Sequence, residues 1–401
     1  HVKEGTGQKP DTAMTKKIDT SDIGAFVGAV SPGDGKGPTV AVKDCIDIKG
    51  MVSRCGSQAL ANSAPALNNA PVIDRLLAAG CHIVGKTRMH ELAYGMTGIN
   101  LFEGTPRNPR WPDRIPGGSS SGSAASVAAG LVDFAIGTDT GGSIRQPAIC
   151  CGVIGFKPTW GRVDRTGAHP AESSLDCIGP LARTMPMIDL AMQALDPTFR
   201  SETATGPLKI ARLLPDAASE PRMAEPLLAL DLGAGGTIVD ILLPSLDDAF
   251  RAGMTIIGRE TYLANADLLA SGAPLGKDVK ARLEAASKIT DEEVARAEEI
   301  RRLFTETVDA ILGTCDVLVT LALPMAPPLL ADANDPARVL TLTRYLRPFN
   351  LSGHPAIVLP AVTADGLPSG VQLVASKGED ARLCAIARAL SETNPIFQTK
   401  E

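Results

Sequence analysis

At 401 residues, with 44% apolar and 21% charged residues and a net charge of −6, the chain can bury a large core and lacks the basic face that nucleic acid binding needs. Its eight cysteines (Cys45, Cys55, Cys81, Cys150, Cys151, Cys177, Cys315 and Cys384) show no C-x-x-C spacing and do not read as a disulfide framework in a chain this long. Reduced thiols favour the cytoplasm, and with no run of eighteen apolar residues no membrane partner is expected.

Residues 1–13 are polar, contain Gly5, Gly7 and Pro10, and begin with His1 rather than Met. They read as an expression remnant, with Met14 as the native start. Val40–Val42 is a short apolar run between Gly37-Pro38 and Lys43-Asp44, which predicts a strand that delivers Lys43 to a loop. A lysine at a strand end is ordinarily a solvated charge. A buried one loses its proton more easily, which is what a general base requires.

Ala70–Ala79 places Val72, Ile73, Leu76 and Leu77 on one helical face, with Gly80 as a stop, and Cys81–Val84 then reads as a strand. Gly80-x-x-x-x-Gly85-Lys86-Thr87 formally matches a phosphate-binding loop. That reading is set aside, because Cys81-His82-Ile83-Val84 would have to wrap phosphate and instead reads as a buried strand. Asn100–Pro116 is a long loop entering the next segment. Its Arg107, Arg110 and Arg114 are weighed as handles for an anionic substrate, with loop-fixing hydrogen bonds and solvated charge preferred.

Two hydroxyl clusters follow, Gly117-Gly118-Ser119-Ser120-Ser121-Gly122-Ser123 and Gly137-Thr138-Asp139-Thr140-Gly141-Gly142-Ser143-Ile144-Arg145-Gln146-Pro147. Ser123–Gly130 and Leu131–Gly137 continue the alternation of helix and strand between them. Glycine pairs let the backbone take positive φ and bring a substrate close to main-chain N–H groups, as an oxyanion hole beside a nucleophile requires. A serine needs a base within reach. Five histidines and no Gly-x-Ser-x-Gly elbow give Ser-His-Asp chemistry little support, so lysine is the main candidate.

From Thr198 to about Pro244 the chain is rich in Ala, Pro and Leu, with a strand-like Lys209–Leu214. Leu246–Met254, Arg259–Leu269 and Val279–Leu312 read as helices, the last with a charged, solvated face. Val317–Leu323, Ala356–Pro360 and Gly370–Ala375 read as strands, Phe349–Pro355 as a loop and Glu379–Ser391 as a closing helix. The alternation predicts an α/β sheet with helices on both faces.

The two clusters resemble the signature of the amidase signature family of serine hydrolases, whose triad is a Ser, a second Ser preceded by a cis peptide, and a Lys. The spacing of Ser119 and Ser143 is the family's own, and Ala41–Asp47 resembles its lysine segment. The likeness extends through Gly80–Glu91, Pro106–Gly118, Ser174–Arg183 and Pro348–Ala375. It implies a large mixed twisted sheet covered by helices, as a single domain over 14–401 with a helical, specificity-shaping insertion at about 198–312. It also implies Lys43, Ser119 and Ser143 as catalytic residues, Thr140, Gly141, Gly142 and Ser143 as the oxyanion hole, and Ser120, Asp139 and Arg145 as support.

The activity expected from the resemblance is hydrolysis of a linear carboxamide, a small molecule, without cofactor or metal. The alternatives are the amidase subunit of a glutamine-dependent tRNA amidotransferase, a partner-dependent hydrolase of a small ureido or dicarboxylic amide, and a scaffold that has lost catalysis. The three intact triad residues argue against the last. Fewer residues than usual for the family precede Lys43, which leaves open a homodimer or a small helper subunit.

Overall fold

The computed structural model describes residues 23–28, 31, 36–333 and 335–397, so the expected remnant at 1–13 lies outside them. The strands are β1 (Phe26–Val27), β2 (Thr39–Lys43), β3 (His82–Thr87), β4 (Phe134–Asp139), β5 (Ile154–Lys157), β6 (Cys177–Ala182), β7 (Lys209–Leu213), β8 (Thr237–Ile241), β9 (Val317–Leu321), β10 (Ala356–Val362) and β11 (Pro368–Val374). They form one mixed sheet in the order β1-β3-β2-β4-β6-β5-β10-β11-β9-β7-β8. β2 runs parallel to both of its neighbours, β3 and β4. Strands buried on both faces have no solvated side to mark with polar residues, which is why Val40, Ala41 and Val42 read as a continuous apolar run.

Gly85, Lys86 and Thr87 lie inside β3, in register with Ala41, Val42 and Lys43 of β2, so the phosphate-loop match is a strand. Four strands escaped the sequence reading: β5 and β6 in the middle of the sheet, and at its edges β1, only two residues long, and β8 (Thr-Ile-Val-Asp-Ile), largely solvent-facing. The helical region is divided differently from expectation. Leu246–Ala270 runs unbroken, whereas the expected single helix over Val279–Leu312 is two, Lys277–Ala286 and Asp291–Leu312. The break is chemical: the Thr290 hydroxyl accepts from the Glu293 N–H while the Glu293 carboxylate accepts from the Thr290 N–H, a capping box that starts a new helix. In the expected loop at Phe349–Pro355, Pro348–Leu351 forms one helical turn.

No helix among the described residues is long and apolar enough to cross a membrane. The eight cysteines are free thiols, all buried except the half-buried Cys315.

The first hydroxyl cluster opens the helix Ser121–Ala128, of which Ser121 to Val127 are buried. Its residues are small because the helix lies close to the sheet. At Gly122 a Cβ would stand 2.3 Å from the Ala25 carbonyl oxygen and 2.7 and 2.8 Å from the backbone O and N of Arg88. Backbone cannot rotate away as a side chain can, so this approach needs glycine. Gly122→Ala is expected to destabilise by about 1–3 kcal/mol, the cost of overpacking a tight core, read as a lowered urea midpoint. An unchanged midpoint would show that the helix has room to shift.

Candidate active site

Lys43 ends β2 fully buried, and its Nζ donates to Ser119 Oγ at 2.7 Å, Thr138 Oγ1 at 2.8 Å and the Thr138 carbonyl at 3.4 Å. Burial lowers its pKa below the usual 10.5, against the opposing influence of Cys45, Asp176 and Asp139. A second buried lysine makes the contrast: Lys86 Nζ lies 3.0 Å from Asp44 Oδ1 and also donates to the Val52 carbonyl and Ser53 Oγ. Lys86 has an anionic partner, while among the described residues Lys43 Nζ bonds only hydroxyls and a carbonyl. Ser119 is buried beside Lys43, and the Gly118–Ser119 peptide is cis.

The second cluster is shaped by one carboxylate. Asp139, at the end of β4, accepts from the N–H groups of Gly142 (2.7 Å), Ile144 (3.1 Å) and Arg145 (3.3 Å). It also accepts from Arg145 Nε and Nη2, each at 2.9 Å, and from Asn350 Nδ2 at 2.9 Å. These charge-assisted bonds hold its carboxyl far below the usual carboxylate range although burial alone would raise it. Arg145 is itself fully buried and donates onward to Gln372 Oε1 and Asn350 Oδ1 at 2.5 Å and to the Leu346 carbonyl at 2.9 Å. Gly142 takes φ +112°, a conformation that favours glycine.

The two clusters are tied together by Ser120, whose N–H donates to the Ser143 carbonyl at 3.2 Å and whose hydroxyl donates to the Thr138 carbonyl at 3.3 Å. Because the Gly142 N–H is taken by Asp139, it is not a free oxyanion donor, which narrows the expected set. The N–H groups of Gly141 and Ser143 meet no protein acceptor among the described residues. The Thr140 hydroxyl donates to Asp176 Oδ1 at 2.9 Å.

Ser143, Thr140 and Gly141 line a cavity of about 460 Å³. Its far wall comes from the helices Leu246–Ala270 and Lys277–Ala286, through Met254, Ile257 and Ala285. A larger groove of about 860 Å³, lined by Cys55, His169, Glu260 and neighbours, includes none of Lys43, Ser119 and Ser143. Arg107, Arg110 and Arg114 do not line the cavity beside Ser143. Arg114 donates to the Pro327 carbonyl, Arg110 to Gly152 while stacking 4.9 Å over Trp111, and the Arg107 N–H to the Ile23 carbonyl, as loop-fixing residues do.

Sequence reasoning missed Asn350, Gln372 and Gln146, the last accepting the Gly118 N–H at 2.8 Å. It also missed Arg347 on the cavity wall. The structure does hold a Ser352–His354–Asp309 chain with contacts of 2.9 and 2.8 Å. Burial pushes the His354 imidazole down to about 4, and Ser352 lies buried and lines neither cavity, so this chain reads as packing.

Comparisons with known proteins identify the chain's family. The Amidase family model matches residues 36–384. The chain is 38% identical to a glutamyl-tRNA(Gln) amidotransferase subunit from Halobacterium salinarum, over 88% of this chain and 94% of that one. It is 32% identical to Amidase 1 of Arabidopsis thaliana, over 92% and 98%. Among solved structures, a chain from a vestigial protein complex bearing on the origins of an s-triazine catabolic enzyme superposes with a TM-score of 0.86 at 28% identity, covering 96% of this chain and 94% of that one. A match that runs through every strand from β2 to β11 leaves one conclusion: the chain belongs to the amidase signature family, whose members act on carbon–nitrogen bonds other than peptide bonds.

Proposed function

We propose that the chain is an amidohydrolase that cleaves a linear carboxamide through an acyl-enzyme on Ser143. The observation that carries this reading is the buried Lys43 Nζ, 2.7 Å from Ser119 Oγ and without a carboxylate partner among the described residues. Neutral Lys43 takes the Ser119 proton as Ser119 Oγ takes that of Ser143, and Ser143 Oγ attacks the carbonyl carbon. The N–H groups of Gly141 and Ser143, with Thr140 beside them, stabilise the oxyanion, while Gly142 contributes through its bond to Asp139. The C–N bond then breaks, Ser119 returns a proton to the departing nitrogen, and water releases the acid. Asp139, Arg145 and Ser120 act as positioning residues for the nucleophile loop. The helical region at about 198–312 shapes specificity, since its helices supply the wall opposite Ser143.

A second reading is supported by the amidotransferase subunits among the relatives: the same chemistry would release ammonia from glutamine for a partner. A cytoplasmic location, supported by the free thiols, and a homodimer or a small helper subunit complete the proposal.

Ammonia release from a panel containing glutamine, a dicarboxylic monoamide, an aryl amide and a ureido acid tests it. Ser143→Ala is expected to abolish release, and Lys43→Met to reduce kcat/KM by at least about a hundredfold, the usual effect of losing a general base; near-normal turnover in Lys43→Met would refute the base assignment. The pH profile carries a second test. The neutral amine is populated above the Lys43 pKa, which burial lowers, so kcat/KM should rise with pH along a limb lying below the ordinary lysine range. A limb at the free-lysine value would contradict a buried base. Asp139→Asn removes one partner of a buried pair and is expected to cost about 3–5 kcal/mol in urea unfolding at pH 7. Because the folded pKa of Asp139 is depressed, that stabilisation is present above its ordinary 3.8 and fades as pH falls below it, so the gap between variant and parent should shrink there.

A further inference from the structure

Arg347 is 5% exposed, and its Nε and Nη1 are buried with no hydrogen-bond partner among the described residues. It lies 4.8 Å over the Phe250 ring. The charges that bear on it are Tyr94 and Arg282, and no carboxylate is among them; burial pulls its pKa down to about 10. A buried guanidinium left this way is costly, because desolvation of the charge is not offset by a partner.

Its position says what would offset it. Arg347 lines the same cavity as Ser143, and a Cβ built on Gly141 would stand 2.9 Å from Arg347 Nε, so the guanidinium lies against the loop that ends in Ser143. Arg282 also lines the cavity but is already engaged: Nη1 donates to the Tyr94 carbonyl at 2.6 Å, and Nη2 lies 3.7 Å from Asp278. No Asp or Glu is among the lining residues, and the rest of the wall is mostly apolar.

We propose that the substrate is an amide bearing a carboxylate and no ammonium group, and that its carboxylate docks on Arg347 while its amide carbonyl faces Ser143. A carboxylate supplies the missing charge-assisted hydrogen bonds. An α-amino acid amide such as glutamine would bring an ammonium for which the lining offers no anion. The inference rests on Ser143 being the nucleophile, and it narrows the substrate to monoamides of short dicarboxylic acids and their carboxylate-bearing analogues.

The experiment compares kcat/KM for succinamate, butyramide and glutamine, together with calorimetric binding of succinate. For the unaltered protein, succinamate is expected to exceed butyramide by about a hundredfold or more, since a site built around a polar group rejects the analogue that lacks its partner. Succinamate should also exceed glutamine, and succinate should bind. In Arg347→Gln the succinamate-to-butyramide ratio should collapse towards one and succinate binding should vanish, with Arg347→Lys intermediate. Failure of succinate to bind the unaltered protein, equal use of butyramide, preference for glutamine, or unchanged succinate binding in a folded Arg347→Gln each overturns the inference. Turnover that persists in Ser143→Ala would instead sink the mechanism, an outcome separate from how succinate binds.

Discussion

The site depends on a carboxylate that never meets water. Asp139 collects three main-chain N–H groups from the turn that follows it and the guanidinium of Arg145, so the loop carrying Ser143 is wound around a fixed negative charge. Removing water makes each of those bonds electrostatically stronger and makes any missing one expensive, so the arrangement is held in a single form. The same balance turns the Gly142 N–H inward to the carboxylate, and the N–H groups of Gly141 and Ser143 are left without a protein acceptor among the described residues.

The two buried lysines of adjacent strands differ in what sits beside them. Lys86 on β3 meets Asp44, and Lys43 on β2 meets Ser119 and Thr138. The parallel pairing of β2 with β3 and β4 sets this apart: β4 brings Thr138 against Lys43, and the turn after β4 brings Ser143 to the same end of the sheet. Lys43 and Thr138, far apart in sequence, are thereby made neighbours by strand register rather than by a local motif.

What the sequence made legible follows the range of the signal. The hydroxyl clusters, the strand ending in Lys43 and the helix at Pro71–Ala78 are local patterns, and the structure has them near the expected places. The division of the helices after Gly276 was also written locally, in Thr290 and Glu293, but the charged run over Val279–Leu312 masked it. Asn350, Gln372 and Arg347 were invisible for a different reason. Each meets the loop around Ser143 across some two hundred residues of chain, and an Asn, a Gln or an Arg in or beside a strand or short helix carries no mark of a partner so distant. The edge strand β8 was lost because its exposed face reads like the polar stretch around it.

The long reach of Arg145 has a consequence for motion. Its guanidinium joins the turn after β4 to Asn350 and to Gln372 on β11, and Gln372 in turn reaches Thr320 on β9. The loop is therefore cross-linked to the opposite half of the sheet and cannot open alone. The amide protons held on Asp139, that of Ile144 above all, are therefore expected to exchange only when the two halves of the sheet part and the whole molecule unfolds.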